Sequence, residues 1–170
     1  LMLSAFYEDG EFYVYDTGFR LQGEAPHLLM KAVHGFDQRE MLINFALTGS
    51  EGNINLSRQD DPYFRGKWAA TLWILLREGQ IAKIEGMDGI ENDKRVVANI
   101  RRLYEGDTVL PEWIGTEKQV MTRIYLVCDS KQSLADTLKE YMAKIRIYDT
   151  DGNAMALHGF DVDNALELKQ

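Results

Sequence analysis

The sequence predicts an α+β fold in which most strands are antiparallel. Apolar and polar residues alternate in several runs, and glycine-containing turns separate these runs, as in β-hairpins. Residues 131–145 carry apolar side chains at the spacing of an amphipathic helix. Two shorter helical segments lie before residue 50, ahead of most of the strands. Together these observations favour hairpins packed against a few helices.

A β-hairpin is expected over residues 1–16. Its strands are "LMLSAFY" and "EFYVYD", and residues 8–10 (Glu-Asp-Gly) form the turn. Glycine in that turn supplies the positive φ that short hairpin loops require. Gly18 and Gly23 then interrupt the strand pattern.

Two helices are expected next. The first runs from Pro26 to about His34, because proline is favoured in the first turn of a helix. The second starts at Asp37, which has the spacing of a capping box with Glu40, and it stops at Gly49. The apolar face of this second helix is predicted to consist of Leu42, Phe45 and Ala46.

Residues 50–66 are polar and contain two glycines and a proline, which predicts a linker. We therefore expect a first domain over 1–57 and a second over 58–170. In the second domain we predict a hairpin over 67–86 with its turn at 78–79. Further strands are expected within 94–104 and 118–129, and a last hairpin around Gly152. The helix over 131–145 would bury Leu134, Leu138, Tyr141, Met142 and Ile145.

Charge and cysteine content limit the functional classes. The net charge of −8 disfavours nonspecific binding to nucleic acid or to anionic membranes. The basic pairs 94–95 and 101–102 are interpreted as solvated surface. The longest apolar run, 68–76, is too short to span a membrane, and no signal peptide is visible. Cys128 is the single cysteine, so we expect a buried thiol and a reducing, cytoplasmic location.

Most short sequence motifs for metal or nucleotide binding are absent or incomplete. Asp149, Asp151 and Asn153 have the spacing of a calcium loop, but Ala154 and Phe160 stand where the loop needs glycine and glutamate. A hairpin turn is the preferred interpretation. Glycine-rich phosphate motifs are absent from the sequence. No metal-binding spacing relates the three histidines, which are His27, His34 and His158.

The stretch "EFYVYDTGFRLQGEAPHLLMKAVHGFDQREMLINFALTG" resembles the end of the catalytic domain of the ATP-grasp superfamily. The family pattern is Glu-x-Asn-x-Arg at the end of a strand that faces ATP. Asp16 falls at the Glu position, Gly18 at the Asn position and Arg20 at the Arg position. The likeness is to carbamoyl-phosphate synthase large-subunit-like and biotin carboxylase-like ligases. It covers their C-terminal portion only: a hairpin with two helices, then a small, mostly antiparallel α+β domain.

The resemblance implies an ATP- and Mg²⁺-dependent ligase that joins a carboxylate to an amine or another nucleophile through an acyl-phosphate. It implies that Asp16 is a metal ligand and that Arg20 is the catalytic residue holding the acyl-phosphate or the carboxylate. Both residues would thereby contact the bound nucleotide complex. This sequence departs from the pattern in three ways. Asp16 is shorter than Glu, Gly18 lacks a side-chain oxygen, and the other metal acid would fall near Met2, in a strand without acids.

The family's adenine pocket and ATP lysines lie upstream of this motif, so the resemblance implies that these residues alone are inactive. The start at Leu1 suggests a fragment of a longer enzyme, whose exposed strand edges would allow homodimerisation as an artefact. The alternative is a non-catalytic binding or assembly module. It predicts that Asp16 and Arg20 point apart or are covered and that an exposed apolar face lies on the strands of 67–128, whereas the ligase hypothesis needs the two residues to converge on one open site. Without the resemblance, the two residues would be interpreted as a surface ion pair.

Overall fold

A computed structural model describes residues 2–18, 20–55, 61, 63–157 and 159–166. The chain divides into two compact units, Leu1–Asp61 and Pro62–Gln170. The sequence-predicted boundary, between residues 57 and 58, lies outside the described residues. The fold is mixed α+β and its strand pairs are antiparallel, as predicted. Within the described ranges, no helix has the length and apolarity needed to cross a membrane.

The first unit opens with the predicted hairpin, formed by β1 (Met2–Glu8) and β2 (Glu11–Gly18). Asp9 and Gly10 have φ values of 50° and 87° at its turn. Positive φ at both central residues belongs to the turn type whose twist matches that of paired strands. The hairpin is therefore specified locally, by the sequence of its own turn.

Two helices follow, α1 (His27–His34) and α2 (Gln38–Thr48). Gly35 and Gly49 end them with φ values of 78° and 73°, in the left-handed region that glycine adopts without strain. These ends agree with the sequence prediction.

The start of α2 corrects one detail of the predicted capping box. Asp37 does cap the helix, but its carboxylate accepts the Arg39 backbone N–H at 2.9 Å. The Glu40 side chain accepts a hydrogen bond from Lys31 at 3.1 Å instead of reaching back to the cap residue. The Lys31 ammonium group of α1 thus binds the Glu40 carboxylate, which in a capping box would accept from the Asp37 backbone N–H.

The predicted apolar face of α2 is not buried. All eleven residues of α2 are exposed or half-buried, and Leu42 and Phe45 are 49% and 55% exposed. Among the described residues, the apolar face of α2 therefore stays largely exposed to solvent.

The second unit contains a three-stranded sheet with its last strand in the middle. β7 (Val120–Cys128) lies between β3 (Trp68–Leu75) and β5 (Val96–Arg101) and is antiparallel to both. Leu72 lies opposite Ile124 across the β3–β7 pair. β7 is buried at eight of its nine positions, so this strand forms the centre of the core.

A second three-stranded sheet has β4 (Gly79–Glu85) between β6 (Thr108–Val109) and β8 (Arg146–Asp149). The predicted hairpin over 67–86 is therefore wrong, because β3 and β4 belong to different sheets. The corner between them is held by distant backbone groups. The Leu76 N–H donates to Gln119 and the Arg77 N–H donates to Met155, at 3.0 and 2.8 Å. These bonds replace the local turn that the sequence suggested.

The amphipathic helix α3 (Lys131–Lys144) packs on this core as predicted. Leu134, Leu138 and Tyr141 are fully buried on it. Cys128 is 3% exposed within the same apolar cluster, which confirms the prediction of a buried thiol. A short helix, α4 (Val162–Ala165), was not predicted.

The segment with calcium-loop spacing is a turn, as predicted. Asp149 accepts hydrogen bonds from the backbone N–H groups of Asp151 and Asn153 at 2.9 and 2.8 Å. Tyr148 and Ala154 form a bridge across the turn. The carboxylate that would ligate calcium thus binds the chain's own backbone.

Candidate functional site

Asp16 lies on β2 with its side chain exposed to solvent. The register of the hairpin places Ser4 directly across from it. Met2, near which the second metal acid was expected, pairs with Gly18. The residue across from Asp16 is therefore a serine and not a second acid.

Arg20 lies two residues beyond the end of β2 and lines a cavity of about 510 Å³ in the first unit. The described polar residues of the cavity are Arg20, Gln22, Gln38 and Glu51. Its described apolar residues are Leu3, Leu21, Pro26, Met30, Met41, Leu42 and Phe45. The cavity thus joins the start of the hairpin, the loop after it and both helices.

The structure brings Arg20, but not Asp16, to this cavity. Leu3 lines the cavity and pairs with Thr17. Because successive side chains of a strand alternate between faces, Asp16 and Ser4 lie on the opposite face of the hairpin. Among the described residues no ion pair joins Asp16 to Arg20, whose Nη1 donates to the Leu21 carbonyl at 3.2 Å.

Asp16 fits a magnesium ion only as a single ligand. Its carboxylate is exposed and offers the hard oxygen that Mg²⁺ prefers, while Gly18 contributes no side chain. No group of three acidic, histidine or cysteine side chains within the described ranges could hold a metal ion. Mg²⁺ in nucleotide enzymes is commonly bound through one or two carboxylates together with substrate phosphates. One carboxylate is consistent with that arrangement.

The histidines contribute little to this site. His27 and His34 are buried on α1, and His158 lies outside the described residues. Burial lowers the pKa of His27, and the nearby Arg39 cation lowers it further. A neutral imidazole is therefore expected at His27 near pH 7.

The first unit also exposes an aromatic surface that the sequence analysis did not identify. Phe12 is 72% exposed, and two ring pairs, Phe6–Tyr15 and Tyr7–Phe12, lie with centroids 4.8 and 4.9 Å apart. Every side chain described on β2 before Gly18 is exposed. By contrast, most positions of β3, β5 and β7 are buried or half-buried. Most of the large apolar side chains exposed on strands therefore lie on the hairpin, while Trp68 and Ile100, on strands of 67–128, are 40% and 38% exposed.

In the second unit, a polar network surrounds Arg95. Its guanidinium donates to both Asp93 oxygens, to Thr137 Oγ1 at 2.7 Å and to Glu140 at 3.1 Å. Tyr141 donates to Asp93 at 2.6 Å. Arg95 is 33% exposed, which corrects its interpretation as solvated surface.

The charges of this network compensate one another. The Arg95 guanidinium, assisted by the Tyr141 hydroxyl, holds the pKa of Asp93 well below its usual range. Burial, followed by the hydrogen bond to Asp93, raises the pKa of Tyr141. Because each group has a partner of complementary charge or polarity, the network is best explained as a structural connection between α3 and the segment before β5.

No protein-family model matches the sequence, and no curated protein sequence matches it significantly. Solved structures do match. An L-amino acid ligase from Bacillus licheniformis aligns over 87% of this chain with a TM-score of 0.69 at 19% identity. A phosphoribosylglycinamide synthetase from Anaerococcus prevotii aligns over 87% with a TM-score of 0.70 at 15% identity. Both are ATP-grasp ligases. The chain spans 36% of the length of each, and its fold is part of the ATP-grasp fold.

Proposed function

We propose that this chain is the C-terminal part of an ATP-dependent ligase that joins a carboxylate to an amine or another nucleophile through an acyl-phosphate. The observation that carries the proposal is the fold likeness to two ATP-grasp ligases over 87% of the chain. A carbamoyl-phosphate synthase-like reaction is the finer form of the same proposal. ATP and Mg²⁺ would be the cofactors of the full-length protein.

Arg20 is assigned the role of holding the carboxylate or the acyl-phosphate. The planar guanidinium presents a fixed fork of donors that matches two oxygens of either group. Seven apolar residues share the cavity wall with it. Apolar surroundings strengthen charge pairing, and they would also keep water from an acyl-phosphate.

Asp16 is assigned the role of a magnesium ligand, through its exposed carboxylate. When bound, Mg²⁺ would neutralise charge on the transferred phosphoryl group. Both tasks serve one phosphoryl transfer, so the proposal needs the two side chains to converge on one open site. The structure brings only Arg20 to the cavity, and the role of Asp16 is proposed from its match to the family pattern.

The test is the substitution of Arg20 in the full-length protein, with carboxylate-dependent release of ADP as the readout. We expect Arg20→Ala to lower kcat/KM by about 100-fold or more, the usual effect of removing one charge-stabilising donor. Arg20→Lys should restore only part of the rate, because lysine lacks the fork. Arg77→Ala changes an exposed arginine of the second unit and serves as the control. Unchanged turnover in Arg20→Ala, with folding intact, would reject its assigned role.

A second candidate is a non-catalytic assembly module. It is favoured by the exposed aromatic hairpin and by the position of Asp16 on the face away from the Arg20 cavity. This candidate predicts no carboxylate-dependent ADP release from the full-length protein. It also predicts that Phe12→Ser weakens self-association or partner binding in sedimentation experiments, whereas Leu110→Ser does not.

A further inference from the structure

We propose that the cavity of the first unit binds the carboxylate substrate and selects one with an apolar body. This inference rests on the ligase proposed above and names its substrate class. Its starting observation is the combination of one cation with a mostly apolar wall in a single cavity.

The polar residues of the cavity favour an anion at one end. Arg20 is the only cation among its described lining residues, and Glu51 is the only anion there. The amides of Gln22 and Gln38 can donate or accept. A carboxylate would pair with the guanidinium, whereas the rest of the ligand would meet few groups able to replace its water.

The wall of the cavity favours an apolar body. Seven of the eleven described lining residues are apolar. Three of them, Leu3, Leu42 and Phe45, keep about half of their surface exposed to solvent. A hydrocarbon chain would cover that surface and gain the free energy of its burial. Met30 and Met41 line the same wall and have flexible side chains that adapt to ligand shape.

The volume favours a small molecule over a polypeptide. A cavity of about 510 Å³ falls within the range of about 300 to 1,000 Å³ that small-molecule sites occupy. A cavity of this size has room for a carboxylic acid with several methylene groups. Its lining does not call for a second charge on the ligand.

The proposal gives a quantitative expectation for a series of straight-chain acids. Affinity should rise about fourfold for each methylene added from butyrate to octanoate, as each is removed from water. Hexanol and hexylammonium should bind at least about tenfold more weakly than hexanoate, because neither pairs with a guanidinium.

The experiment is NMR of the full-length protein with ¹³C-labelled methionine methyl groups, titrated with these compounds. The signals of Met30 and Met41 would be assigned by replacing each with leucine. Both should shift with hexanoate, while the buried Met121 and Met155 of the second unit serve as references. No shift at Met30 and Met41, or equal affinity for hexanoate and hexanol, would overturn the proposal.

Variants separate the effect of the Arg20 charge from the effect of the apolar cavity wall. Arg20→Gln should abolish the preference for hexanoate over hexanol. Leu42→Gln should reduce the gain in affinity per methylene while keeping the preference for the anion. Ile114→Gln, at an exposed residue of the second unit, should change neither. A gain per methylene that is unchanged in Leu42→Gln would place the hydrocarbon chain elsewhere and contradict the proposal.

Failure of this inference can be distinguished from failure of the ligase proposal, because methyl shifts do not require turnover. Carboxylate-dependent ADP release with undisturbed Met30 and Met41 signals would support a ligase and overturn this cavity as its substrate site. Length-dependent shifts without ADP release would support the cavity as an acid-binding site and reject the ligase reaction.

Discussion

Tyr141 donates its phenolic hydrogen to Asp93 Oδ2 over 2.6 Å, across 48 residues of sequence. The tyrosine is 2% exposed and lies on α3, while the aspartate lies in the segment before β5. Because the same carboxylate also accepts from Arg95, one partly buried carboxylate links α3 to the segment before β5.

We expect Tyr141→Phe to lower the unfolding free energy of the second unit by about 2 kcal/mol, the usual effect of losing a hydrogen bond to a charged group. All three tryptophans lie in that unit, so their fluorescence in a urea titration is the measurement. Tyr104→Phe, at an exposed tyrosine, is the control and should change stability by less than about 0.5 kcal/mol. Equal losses in the two variants would contradict the importance of this bond.

The same unit should lose stability in acid. The pKa of Asp93 is lowered in the folded state by Arg95 and Tyr141, so the unfolded chain binds its proton more readily. The stabilisation is complete above about pH 4, the ordinary aspartate range, and is lost as the pH falls further. Asp93→Asn should therefore show a shallower loss of stability between pH 5 and pH 3 than the wild type. Asp88→Asn, at an exposed site, should keep the wild-type slope.

The cap of α2 can be tested by amide hydrogen exchange. Asp37 is 2% exposed and binds both the backbone and the side chain of Arg39. Asp37→Ala should cost about 1 kcal/mol, which corresponds to about fivefold faster exchange in the first turn of α2. Asp37→Ser keeps a capping oxygen and should exchange at nearly the wild-type rate. If the amides exchange equally fast in Asp37→Ala and Asp37→Ser, the carboxylate charge stabilises α2 and the capping oxygen does not.

Gly86 lies where β4 approaches the end of α3. A Cβ built on it would lie 2.2 Å from the Lys144 carbonyl oxygen, and its φ is 79°. Gly89 has a φ of 80° but nothing within 4 Å of its Cβ position. Gly89→Ala should therefore cost about 1 kcal/mol of backbone strain, and Gly86→Ala about 2 kcal/mol more from the clash. Urea titration of both variants gives the difference, and a difference near zero would mean that the chain shifts freely at this corner.

Features determined by a few neighbouring residues were predicted well from sequence. The Asp9-Gly10 turn, the glycines that end both helices and the buried face of α3 all follow from local chemistry. The pairing of β3 was missed because its partner, β7, lies about fifty residues away. A run of apolar residues predicts a strand, but it does not say which other strand completes the sheet.

The site was predicted only in part for a similar reason. Asp16, Gly18 and Arg20 are two residues apart, and an unbroken strand would place them on one face. β2 ends at Gly18, so the alternation stops before Arg20 and the arginine lines a cavity that Asp16 does not. The cavity itself depends on two helices whose packing the motif does not encode.

The position of β7 has a consequence for the order of folding during synthesis. Both of its neighbours, β3 and β5, precede it in the chain, and it alone connects them. A nascent chain that has emerged only to residue 115 holds two strands whose shared partner is still inside the ribosome. We infer that the sheet can close only after β7 emerges, and that β3 lacks its cross-strand partner until then.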